Sequence, residues 1–150
     1  MKHASLAEMN CPVARTLDVV GEWWTVLIVR DAFIGARRFE DFRRLGIADN
    51  ILSARLKRLV DEGILGRRLY QERPERYEYL LTEKGRDLLL VVGAMATWGM
   101  KWMPGDNVNR MRHVACGNQV TVRGYCEDCG QALTVDDVQL VRLEGSVTAA

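Results

Sequence analysis

The stretch that most constrains this chain is residues 49–81, where the hydrophobic period changes from helical to two-residue across a single glycine. Leu52, Leu56 and Leu59 stack on one face of a helix running from Asp49 to Glu62. Gly63 then stands where a helix C-terminus favours a residue free to adopt left-handed backbone. Beyond it, Leu65, Arg67 and Leu69 alternate with Gly66, Arg68 and Tyr70, and Tyr77, Tyr79 and Leu81 alternate with Glu78 and Leu80. These are two short strands. The polar segment Gln71–Arg76, with Pro74 inside it, is the turn between them.

Helices flank this unit. Pro12 suits a first helical position, and Val13, Leu17 and Val20 follow before Gly21 breaks the pattern. Trp23 to Phe33 reads as a helix apolar on most sides, placed in the centre of the core and ended by Gly35. Residues 37–45 form a short amphipathic helix on Phe39, Phe42 and Leu45, closed by Gly46. Thr82 is a plausible N-cap for a long helix from Glu83 to Trp102, stopped by Pro104-Gly105. The chain is therefore mainly α with a small β-hairpin over residues 1–105. Residues 106–150 change character: rich in Val, Thr, Gly and Cys, they read as strands and turns.

A hydrophobic content of 48% supports a buried core and argues against global disorder. The apolar-rich stretch Leu88–Met103 is interrupted by Gly93, Gly99 and Lys101 and is too mixed to span a bilayer. The N-terminus MKHASLAEMN lacks the apolar run of a signal peptide. The expectation is a cytoplasmic protein whose four cysteines are reduced.

Net charge is only +1, but its distribution is uneven. Residues 36–76 carry eleven Arg/Lys against seven acids, whereas 106–150 carry four Arg against six. A basic middle points to a local polyanion footprint. Arg37 and Arg38 open the short helix, where guanidiniums and N-terminal amides both favour phosphate. Asn50, Ser53, Lys57 and Arg58 lie opposite the leucine face of the next helix and suit the major groove of double-stranded DNA. The same pattern also fits an ordinary solvated face. Arg73 and Arg76 at the hairpin tip would reach the flanking backbone or minor groove, or simply keep an exposed turn soluble. Arg55, near the edge of the apolar stripe, suits an internal ion pair as well as a phosphate contact.

The joint pattern Cys11-Pro12-Val13, Gly21-Glu22-Trp23-Trp24-Thr25, Leu27-Ile28-Val29-Arg30-Asp31, Arg37-Arg38-Phe39, Ile51-Leu52-Ser53-Ala54-Arg55-Leu56 and Tyr77-Glu78-Tyr79-Leu80-Leu81-Thr82-Glu83-Lys84-Gly85 resembles the HxlR-type regulators, relatives of the MarR regulators. The resemblance covers about residues 10–103. It implies a winged helix-turn-helix fold, a homodimer built on the first and last helices, and a transcriptional regulator, a repressor by expectation, on a palindromic operator. By position it makes Asp49–Glu62 the recognition helix and Gln71–Arg76 the wing. Ala48 stands where many relatives carry a capping serine, which leaves Asp49 as the alternative cap. The apolar surplus Leu88, Leu89, Val91, Val92, Met95, Trp98 and Trp102 fits a face shared with a second protomer, or packing against the first helix of the same chain.

His113, Cys116, Cys126 and Cys129 spell H-x2-C-x9-C-x2-C, and glycine follows both Cys116 and Cys129. One imidazole and three thiolates are a common structural zinc set, so this segment reads as a zinc-ribbon-like extension with a hairpin over Gln119–Tyr125 between its knuckles. The alternatives are a site that has lost its metal, a thiol redox pair on Cys126 and Cys129, or a zinc-dependent protein-interaction module. Cys11, at a helix start with Arg15 one turn on, is a candidate oxidant sensor or an inert small residue. A small-molecule effector between the dimer helices and the winged domain, near Trp23, Trp24 and Trp98, is a further expectation. With two histidines in the chain, no Ser/His/Asp set is available and no phosphate-cradling glycine loop appears, so no enzyme is expected.

Overall fold

The computed structural model describes residues 5–103, 105 and 110–141. Pro104 and the tail from residue 142 lie outside the described residues. The helices are α1 (Pro12–Val20), α2 (Trp23–Ile34), α3 (Phe39–Arg43), α4 (Asp49–Asp61) and α5 (Glu83–Trp102). Strands β1 (Leu65–Glu72) and β2 (Glu75–Leu81) form one antiparallel hairpin between α4 and α5. Two compact units divide within α5, between Leu89 and Leu90, upstream of the composition change at residue 106. No described helix is long and apolar enough to cross a membrane.

The first unit is built on the leucine face of α4. Leu52, Leu56 and Leu59 are buried together with Ile28 and Val29 of α2, Phe42 of α3, and Ile64 and Leu65 at the start of the hairpin. Each such side chain contributes about 1.5–3 kcal/mol relative to exposure. Phe42 also meets the Tyr79 ring edge-on, centroids 6.5 Å apart, which couples α3 to β2. α2 is less central than its apolar sequence suggests: Thr25, Ile28 and Val29 are buried, but Trp23 and Ile34 are exposed. Thr25, Ile28 and Val29 mark the flank of the helix that enters the core.

Two elements differ in length from the sequence reading. α3 begins at Phe39 because the Asp41 carboxylate accepts the Arg37 and Arg38 amide N–H groups at 3.0 and 2.9 Å, capping the turn there. The hairpin turn is tighter than Gln71–Arg76. Gln71 pairs with Arg76 and Glu72 with Glu75, so Arg73 and Pro74 alone form the tip. The Gln71 side-chain amide donates to the Arg73 and Pro74 carbonyls, both at 3.2 Å, satisfying acceptors the ladder leaves open.

Gly63 adopts φ +68° after α4, as the capping position requires. Thr82 starts α5 as expected. Its hydroxyl donates to the Gly63 carbonyl at 2.6 Å and accepts the Gly85 N–H at 3.1 Å.

In the second unit, residues 110–141 carry no strand among those described. Isolated pairs join Arg112 to Gln119 and Tyr125 to Ala132, and a single 3-10 turn spans Val135–Asp137. The expected hairpin over Gln119–Tyr125 is not formed. The chain reverses instead within each knuckle, where Gly117 and Gly130 both sit at φ +70°.

Candidate nucleic-acid interface

α4 presents Asn50, Ser53, Ala54 and Lys57 to solvent, away from its buried leucines. Their i, i+3, i+4, i+7 spacing makes one continuous exposed stripe. Lys57 Nζ reaches Asp61 at 2.5 Å, but both side chains are largely exposed, so the pair is easily exchanged for a phosphate. Ile51, beside Asn50, is also exposed. An apolar side chain there suits a thymine methyl group, a role the sequence reading did not give it.

The start of α4 corrects one expectation. Ala48 occupies the N-cap without a side-chain bond, and Asp49 does not replace it. Arg43 Nε holds the Asp49 carboxylate at 2.9 Å instead.

The other two basic residues of α4 are paired within the chain. Arg58 Nη2 donates to the Asp18 carbonyl of α1 at 2.5 Å, and its side chain is 40% exposed. Arg58 is thus separated from Asn50, Ser53 and Lys57 by its partner. Arg55 pairs with Glu22 at 3.0 Å, which selects the ion-pair reading, and its buried Nε has no partner among the described residues.

Arg38 stacks over the Tyr70 ring at 4.3 Å and lies 3.4 Å from Glu78. Glu78 also pairs with Arg68 at 2.6 Å, and its side chain is only 12% exposed. The Arg68 hydrogen bond, followed by the nearby Arg68 and Arg38 charges, holds the Glu78 carboxyl below its ordinary range. One carboxylate therefore joins β1, β2 and the residue before α3. The Asp41 carboxyl is lowered chiefly by the Arg37 and Arg38 amide N–H groups. The Arg37 and Arg38 amides, which precede the first turn of α3, are consequently committed to Asp41 rather than open to an anion.

Arg37, Arg73 and Arg76 are exposed and carry no ion pair among the described residues. Arg44, after α3, and Arg67, over the Tyr77 ring at 4.0 Å, share that property and extend the basic surface. Their only sequence signal was membership of the basic middle segment.

Cys11 is the N-cap of α1, a half-buried free thiol with no side-chain capping bond. A cavity of about 340 Å³ in the first unit is lined by Val19, Val20, Ile64 and Leu88 with Arg15 and Lys84. None of Trp23, Trp24 and Trp98 lines it. The His113–Cys116 and Cys126–Cys129 pairs lie in the second unit.

The HxlR-like helix-turn-helix family pattern matches residues 19–107. The chain belongs to the HxlR-like helix-turn-helix family. It is 43% identical over 130 residues to an uncharacterized HTH-type transcriptional regulator of Mycobacterium bovis, covering 84% of this chain and 82% of that protein. The solved structure of PA1607 superposes with a TM-score of 0.78 at 38% identity, covering 93% of this chain and 99% of that one. The reduced form of the redox regulator HypR gives 0.57 at 38% identity, covering 61% of this chain and 92% of that one. This HxlR-like protein is accordingly a DNA-binding transcription regulator with a winged helix-turn-helix fold: α3 and α4 form the helix-turn-helix and the β1–β2 hairpin is the wing.

Proposed function

We propose that this regulator binds a palindromic operator as a homodimer and represses transcription by occupying it. The observation that carries the reading is the exposed stripe Asn50, Ser53, Ala54 and Lys57 on a helix whose opposite face is locked into the core. A rod held this way enters a major groove without reorganising. Asn50 and Ser53 would read base edges, while Arg37, Lys57, Arg73 and Arg76 would hold phosphates. Exposed apolar side chains on α1 (Val13, Leu17) and α5 (Met95, Trp98, Trp102) support the homodimer. A two-fold partner places two recognition helices on successive half-sites, which is why a palindrome follows.

The test is selection of bound sequences from a random duplex pool, followed by footprinting and a promoter reporter. The expected result is an inverted repeat whose half-site centres lie about one helical turn apart, with transcription rising when the protein is removed. Enrichment of a single non-repeated site, or of no sequence at all, would overturn the reading. In the follow-up, Arg73→Ala and Arg76→Ala should weaken all duplexes alike, and Asn50→Ala or Ser53→Ala should change base preference.

A further inference from the structure

We propose that His113, Cys116, Cys126 and Cys129 form a structural zinc site that holds the C-terminal segment together and braces the distal half of α5. The first observation is a repeated backbone device. The Gly117 N–H donates to the His113 carbonyl at 2.8 Å, and the His113 N–H donates to the Asn118 carbonyl at 2.9 Å. Thirteen residues later, the Gly130 N–H donates to the Cys126 carbonyl at 2.8 Å, and the Cys126 N–H donates to the Gln131 carbonyl at 2.9 Å. Both glycines share φ +70°, and a strand-like pair closes the base of each turn. Two turns with the same hydrogen bonds, each ending on a Cys-Gly step, are two metal knuckles in tandem.

Within the first knuckle His113 Nδ1 lies 3.2 Å from Cys116 Sγ. Two ligands on one tetrahedral zinc, with bonds of about 2.0 and 2.3 Å, stand roughly 3.6 Å apart. The pair is therefore already close to ligand spacing. Among the described residues no three such side chains yet stand together around one point. The proposed site requires the second pair to close onto an ion held by the first.

The second observation is that the described part of this segment has no core of its own. No side chain of the described residues 110–141 is buried; Met111, Val120, Val122, Cys126 and Leu133 are only partly covered. A segment of this size without a core needs a covalent or metal staple. The thiols of Cys116, Cys126 and Cys129, two of them exposed, supply one together with His113. Binding zinc would release the thiol protons to solvent, and four protein ligands would leave no open position for catalysis.

The consequence reaches α5. The Val122 N–H donates to Thr97 Oγ1 at 3.0 Å, and the Met111 and Val122 side chains close over Gly93, where a Cβ would lie 2.8 Å from each. The knuckles thus grip the helix segment that exposes Met95, Trp98 and Trp102.

The experiment uses the untagged full chain, purified under reducing conditions without chelator. Metal is measured by mass spectrometry, the protein is reconstituted with cobalt(II), and amide exchange is followed with and without chelation. The expected result is about one zinc per chain, with thiolate-to-cobalt charge-transfer absorption that Cys126→Ser and Cys129→Ser abolish. Chelation should accelerate exchange over residues 110–133 by about tenfold or more while leaving 49–81 unchanged. The proposal is overturned by a reduced chain that takes up neither zinc nor cobalt. It is equally overturned if zinc persists in the double serine variant, or if Cys126 and Cys129 are recovered as a disulfide in metal-free protein.

Discussion

Arg58 of the recognition helix donates a hydrogen bond to the main-chain carbonyl of Asp18, one of the last α1 carbonyls without a partner inside its own helix. The Asp18 carboxylate is held in turn by the Leu6 N–H at 2.7 Å and the Ser5 hydroxyl at 3.2 Å. Arg58→Ala should therefore act on stability first, costing about 1–3 kcal/mol for a hydrogen bond from a charged donor. Urea unfolding measures the loss. The slope of log affinity against log salt should stay unchanged for Arg58→Ala but fall by about one for Lys57→Ala. A normal urea midpoint combined with a reduced salt slope would return Arg58 to the phosphate backbone.

This residue also shows where the sequence runs out. The leucine period of α4 assigns Leu52, Leu56 and Leu59 to the core and Asn50 and Lys57 to the outside, because both sets lie near the centre of their faces. Arg58 lies between the faces, and its partner is 40 residues away. Periodicity carries no information about such a partner. The same holds for Arg38, whose fate depends on Glu78 across the sheet. Local signals did better: Gly63, Thr82 and the two strands β1 and β2 were legible because the cause is within a few residues. The turn length was not, since the Gln71 side chain that closes it competes with the polar composition that suggested a longer loop.

Glu78→Gln should flatten the acid limb of stability. The Glu78 pKa is lowered by Arg68 and Arg38, so its contribution is fully present above the ordinary value near 4.5 and is lost as pH falls through the lower folded value. At neutral pH the variant should melt below the parent. The gap should close in acid below the ordinary carboxylate range, because protonated Glu78 and glutamine are both neutral. Melting temperature against pH for the two proteins reads this directly, and a gap independent of pH would place the effect in packing instead.

Gly85→Ala tests the junction of wing and α5. A Cβ at Gly85 would sit 2.2 Å from the Ile64 carbonyl oxygen, and that oxygen also accepts the Thr82 N–H at 3.1 Å. The backbone must move, which costs about 1–3 kcal/mol and outweighs the roughly 0.8–1 kcal/mol that alanine gains over glycine in a helix interior. Thermal unfolding should show a loss of several degrees for a domain of this size. A variant as stable as the parent would mean that the wing and α5 separate freely.

Trp98→Asp should produce a monomer. Val91, Met95, Trp98 and Trp102 recur at four, three and four residues along α5 and are all exposed in the single chain, Trp98 by 59%. That spacing makes a helical seam rather than scattered surface residues. Water is a poor partner for such a seam, and burying each large side chain against a second copy is favourable by about 1.5–3 kcal/mol. A carboxylate in the middle of it would have to be buried unpaired, whereas in the lone protomer it remains in solvent. The variant should keep the folding transition of its wing and recognition helix but sediment as a monomer at micromolar concentration. Operator affinity should then fall by about a hundredfold or more, since each half-site is bound without the effective concentration supplied by its neighbour. A parent that sediments as a monomer while bound to a complete operator would remove the seam from the mechanism.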